Sequence, residues 1–165
     1  MQLFANLDAS KLAQVKVESF KMVETHRGVA WSCDVFLNDE KLGMASNHGN
    51  GGATHFAFPE SQQLEVMNAL KSAGYKLDFK LEGVYVPEPT HLESWLTFAL
   101  GQMGDEQAEL TGYKRDTKTK TFVEKLSEPT FASYKTPDTP QVRVKLKQQL
   151  GDDLVAFLND KILSY

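Results

Sequence analysis

The sequence predicts an α+β fold, an antiparallel sheet of hairpins packed against amphipathic helices in a single globular domain spanning residues 1–165. Three observations carry this. Val29, Trp31, Cys33, Val35 and Leu37 alternate with more polar positions at the period of a half-buried strand. Leu92, Trp95, Leu96, Ala99, Leu100 and Met103 recur at helical spacing. The strand-like runs come mostly before the helical ones, and a chain of 165 residues with 41% apolar composition can bury roughly 70% of its unfolded surface in one core.

Taken in order, residues 8–12 have the pattern of one helical turn, and Gln14 to Thr25 that of a strand whose phase breaks after Ser19, as a bulge or a strand covered on both faces would allow. His26-Arg27-Gly28 makes a turn into the strand at 29–37. Asn38-Asp39-Glu40-Lys41 then turns the chain back through Leu42, Met44 and Ser46. The loop Asn47-His48-Gly49-Asn50-Gly51-Gly52 follows, with three glycines in four positions at 49–52, so it can take backbone angles closed to other residues. A short strand is expected over Thr54 to Phe58. Pro59 introduces a helix over about 60–73 with Leu64, Met67 and Leu70 on one side, and Gly74 stops it.

Leu77 to Val86 is either a strand or an extended segment and is closed by Pro87 and Pro89. Thr90 and Glu93 form a T-x-x-E capping box for the helix that follows, which should fray at Gly101 and Gly104, with residues 105–111 adding a further turn. Lys118 to Leu126 and Thr130 to Lys135 read as a second hairpin joined by Ser127-Glu128-Pro129. Thr139 caps a helix with Pro140 in its first turn, and Val142, Leu146 and Leu150 share a face until Gly151. Asp152 is placed to cap a second helix with Leu154, Val155, Leu158 and Ile162 inward.

The charge of −4 argues against a general nucleic-acid binder, but it is unevenly spread. Leu81 to Tyr113 holds six acidic residues and no Lys or Arg, and Tyr113 to Lys147 holds nine basic residues against four acids. Lys114, Arg115, Lys118 and Lys120 are the candidate phosphate contacts, with Tyr113 and Phe122 for stacking; a solvated strand edge explains the same pattern. Cys33 is the single cysteine, so no intrachain disulfide forms, and its place on the apolar face marks it as core rather than nucleophile. No standard signal peptide and no run of about 18 apolar residues is evident, so a reducing, cytoplasmic setting without membrane contact is expected.

The strand, turn and strand followed by N-x-G-x-G-G at 47–52, with the tail T-P-x-V-x-x-x-L-x-x-x-L-G-D-D-L-V-x-x-L-N at 139–159, resembles small uncharacterised proteins encoded by bacteria and their phages. The resemblance covers about residues 29–58 and 118–163. It implies a phage or mobile-element origin and assigns no chemistry.

The candidate ligand-binding residues are Asn47, His48, Gly49, Asn50, Gly51, Gly52 and His55. Amides exposed in such a turn can form a concave anion site, and His48, Asn50 and His55 can add hydrogen bonds. No G-K-[S/T] follows, so the loop is not a phosphate-binding P-loop, and the third glycine of the dinucleotide fingerprint is missing. A glycine-rich turn shaped only by the sheet is the competing structural reading. His48 and His55, seven positions apart, would need to converge with His26 or Asp34 for metal ligation or acid/base work. H-E-x-x-H, G-x-S-x-G and paired cysteines are absent, and no catalytic residue, metal or cofactor is expected. The expectation is a non-enzymatic binding protein, such as a phage or mobile-element accessory factor engaging a host protein or an anionic small molecule through 47–55. The alternative is a small hydrolase or transferase using His48, His55 and a carboxylate.

Overall fold

The computed structural model describes residues 2–81 and 83–165, which are mixed helix and strand and fall into two compact units, residues 2–106 and 107–165. In the first unit, α1 (Gln2–Leu12) precedes β1 (Val15–Thr25), β2 (Gly28–Leu37), β3 (Glu40–Asn47) and β4 (His55–Phe56). These four strands form an antiparallel sheet in the order β1-β2-β3-β4. The β2–β3 turn places Asn38 and Asp39 at φ 52° and 62°, the left-handed pair of a tight two-residue hairpin that asparagine and aspartate tolerate. The phase break in β1 is a bulge: the register shifts between Glu18 and Lys21, and Ser19 has φ 54°.

Val15, Val17, Cys33, Val35 and Ala45 project from one sheet face into a core with Val66 and Leu70 of α2 (Glu60–Ser72) and Trp95, Leu96, Ala99, Leu100 and Met103 of α3 (Leu92–Asp116). In α2, Val66 and Leu70 are buried and Met67 packs against the core, whereas Leu64 is exposed, a correction of that one position of the expected face. Gly74, at φ 85°, ends α2 as expected, with Gly74 N donating to Lys71 O and Tyr75 N to Leu70 O. Within the stretch read as strand or extended, short strands β5 (Lys80–Leu81) and β6 (Val84–Tyr85) pair antiparallel, with Gly83 in a turn at φ 81°.

Helix α1 begins well before the single turn read at 8–12, because tertiary bonds supply what its propensity does not. Asn6 Nδ2 donates to Lys76 O (2.8 Å) and Glu106 Oε1 (2.7 Å), and Asn6 Oδ1 accepts from Lys76 N (3.0 Å). Tyr75 OH donates to the other oxygen of the buried Glu106 carboxylate at 2.8 Å, and burial together with that charge pushes the phenol upward.

α3 (Leu92–Asp116) runs unbroken through Gly101 and Gly104, so these glycines do not fray it. A Cβ at Gly104 would lie 2.2 Å from the Phe20 ring, which stacks on Trp31 with centroids 6.3 Å apart. This glycine admits a sheet aromatic against the helix, an advantage that offsets the helix propensity it gives up, about 1 kcal/mol. The expected capping box does not form either, since Glu93 bonds to Thr54 at the end of the glycine loop, 39 residues away in the chain.

In the second unit, β7 (Thr121–Lys125) lies between β8 (Phe131–Tyr134) and β9 (Leu154–Phe157), antiparallel to both. α4 (Pro140–Leu150) starts as read, with Thr139 Oγ1 accepting from Val142 N at 3.2 Å, and buries Leu146. The expected second helix is replaced by a 3-10 turn at Gly151–Asp153, strand β9 and a short α5 (Asn159–Ser164). Asp153 accepts from Ser127 N and Oγ, both at 2.8 Å, instead of Asp152 capping a helix.

Candidate functional site

The glycine loop is closed by its own side chains. Asn47 Oδ1 accepts from Gly49 N (2.8 Å), and its Nδ2 donates to Thr54 Oγ1 (2.9 Å) and Gly52 O (3.3 Å). Asn50 Oδ1 accepts from Gly52 N at 3.0 Å. Both asparagines thus use the side-chain hydrogen bonding that favours them in turns. Gly49 is buried against the start of β2, and Thr25 Oγ1 lies 2.7 Å from Gly28 O and 3.4 Å from Gly49 O.

The far end of the loop is tied to α3. Thr54 N donates to Glu93 Oε1 at 3.1 Å, and the Thr54 and Thr97 hydroxyls are 2.7 Å apart. The amides of Gly49, Gly52 and Thr54 therefore each have an oxygen of the protein as partner, and one of these is a carboxylate. An anion entering here would have to displace them and approach Glu93. His48, Asn50, Gly51, Gly52 and His55 are exposed.

Among the described residues, the candidate histidines are not joined to a carboxylate. His26, His48 and His55 are exposed, and among the described residues no hydrogen bond or ion pair joins the ring of His48 or His55 to a carboxylate. Asp34 is engaged with Lys41 Nζ at 2.9 Å. Among the described residues no group of three or more His, Cys, Asp or Glu is placed to hold a metal ion. Cys33 is buried in the core, where desolvation pushes its thiol up to about 12, so the thiolate is scarce at neutral pH.

The basic stretch divides between the end of α3 and the turn after it, not an edge strand. Lys120 Nζ pairs with Asp116 at 2.7 Å and Arg115 Nε lies 3.5 Å from the same carboxylate, which Lys120 holds below its usual range. Phe122 is unavailable for stacking on bases, because it is buried and packs edge-on against Tyr113 and Phe131. Trp95 and Met103 are also core residues.

Two open clefts flank Thr54. One, of about 370 Å³, lies between the loop and α3 and includes Asn47, Gly51, Gly52 and Thr97. The other, of about 470 Å³, is bounded by Thr54 and Phe56, by Glu60 and Gln63 of α2, and by Glu93 and Ser94 of α3. No family model matches this sequence, and no curated protein or solved structure matches it significantly. The geometry alone therefore bears on function.

Sequence reasoning placed the loop but missed its neighbours Phe56, Glu60, Glu93 and Ser94. Glu93 stood out only through a local capping pattern, whereas its partner Thr54 is 39 residues away in the chain. The sequence carries no short-range signal for such a pair.

Proposed function

We propose that this chain is a non-catalytic binding protein that engages a protein partner through the face formed by residues 47–55 and the start of α3. The carrying observation is the self-bonded loop. With Gly49 N, Gly52 N and Thr54 N taken by Asn47, Asn50 and Glu93, the loop is a pre-organised surface, not an open amide cradle. Its exposed His48, Asn50, Gly51, Gly52 and His55 suit a polar contact surface. Of the two partner classes considered, this favours a host protein over an anionic small molecule. The resemblance to phage-encoded proteins fits an accessory factor of that kind. The hydrolase or transferase reading has no joined histidine and carboxylate to carry it.

A thermal-shift screen with phosphate, sulfate, nucleotides and other polyanions tests this. The expected result is flat, whereas a specific ligand at 100 times its dissociation constant would add about 2.7 kcal/mol. A rise in melting temperature that is lost in Gly52→Val would overturn the reading in favour of an anion site.

A further inference from the structure

The cleft beyond β4 has backbone as well as side chains to offer. Ala57 N donates to Met44 O at 2.8 Å, and Phe56 stands opposite Ala45 with His55 opposite Ser46. In an antiparallel ladder, bonded and non-bonded pairs alternate, so Phe56 belongs to a non-bonded pair and turns its N–H and C=O away from β3. Thr54 shares that phase, and its N–H duly reaches Glu93. Because β4 is the last strand of the sheet, the backbone groups of Phe56 lie along an open edge, and Phe56 itself lines the cleft. An edge of this kind is a template for one more strand.

The charge of the cleft selects what would add there. Glu60 and Glu93 line it together with His91, and neither Lys nor Arg does. Each carboxylate sits in the first turn of its helix, and the two helix starts together contribute about one positive unit at most. Two carboxylates leave the cleft net negative.

We propose that this cleft is a docking groove for an extended, lysine- or arginine-bearing segment of a protein partner, added as a strand outside β4. The inference rests on the reading of the chain as a protein-binding module and names the chemistry of the segment it recognises. The backbone of the segment pairs with Phe56, as in other strand-addition complexes, and its basic side chains face Glu60 and Glu93. Glu93 then fixes the loop through Thr54 N and presents its second oxygen to the segment.

The test uses a capped synthetic peptide of about eight residues alternating lysine with valine, and its glutamate-valine counterpart, against the full chain. The lysine peptide should slow hydrogen exchange at the Phe56 amide and shift the amide resonances of Glu60, Glu93 and Ser94. Glu60→Lys, at an exposed position, should weaken it by about two- to fivefold, the upper range of a surface ion pair. N-methylation of alternate valines should abolish the protection at Phe56.

Unchanged exchange at Phe56 with millimolar lysine peptide overturns the groove, as does equal binding of the glutamate peptide or indifference to Glu60→Lys. Shifts confined to residues 48–52 also overturn it while leaving the loop as a protein-binding surface. A nucleotide-dependent thermal shift overturns that parent reading instead, so the two failures are distinct.

Discussion

Gly49 and Gly51 are two positions apart in one loop with similar backbone angles, φ 68° and 78°, yet they answer to different constraints. A Cβ on Gly49 would lie 2.5 Å from Ala30 N and from Val29 C, backbone atoms of β2 that cannot swing aside, whereas a Cβ on Gly51 meets nothing within 4 Å. Gly51→Ala should therefore lower stability by only the ~1 kcal/mol of left-handed strain. Gly49→Ala adds overpacking and should cost about 2–4 kcal/mol. Urea unfolding midpoints compare the two, and equal midpoints would mean that Gly49 is not seated on β2. The sequence marked all the loop glycines as equally demanding, because torsional freedom is a local property. Which of them faces another strand depends on the sheet register, and no window around 47–52 contains Val29 and Ala30.

At the scale of elements, what was legible in the sequence was whatever local chemistry decides. The 29–37 alternation, the Asn38-Asp39 turn, the bulge after Ser19 and the Thr139-Pro140 helix start all have their causes within a few residues. The failures share the opposite feature. Leu154 to Ile162 has apolar spacing compatible with a helix, but Leu154–Phe157 pairs with β7 as a strand, and that pairing overrides a pattern it cannot be read from. Asn159 then serves as an extension of the sheet: its Oδ1 accepts from Phe122 N at 2.7 Å and its Nδ2 donates to Lys120 O at 2.8 Å. The D-D-L-V-x-x-L-N end of the tail motif is thus explained by packing, through Asp153 on Ser127, buried Leu158, and Asn159 on β7. Asn159→Ala would leave buried backbone groups without partners and should cost about 2–4 kcal/mol, with faster exchange at the Phe122 amide. Unaltered stability would show that the motif is kept for something other than the fold.

Across the whole molecule, α3 is the element that both compact units use. Its first half gives Trp95, Leu96, Ala99, Leu100 and Met103 to the core of residues 2–106, and its second half gives the Tyr113 ring to the cluster with Phe122 and Phe131. The helix is continuous from Leu92 to Asp116, so the boundary between the units falls within it, between Glu106 and Gln107. Losing the packing of either half leaves the other attached to a helix segment with little reason to stay folded, because helices of about a dozen residues are marginal in water. Leu96 is fully buried, and Leu96→Ala should cost about 2–5 kcal/mol where it sits. If the units unfold together, the same substitution lowers the midpoint seen by tryptophan fluorescence, which reports residues 2–106 through Trp31 and Trp95, and the midpoint seen by amide exchange at Val123 of β7. Coincident shifts are the expected outcome, the test of a single cooperative transition. A shift in the tryptophan signal alone, with the Val123 midpoint unmoved, would mean that α3 breaks at the boundary and that the chain unfolds as two independent domains.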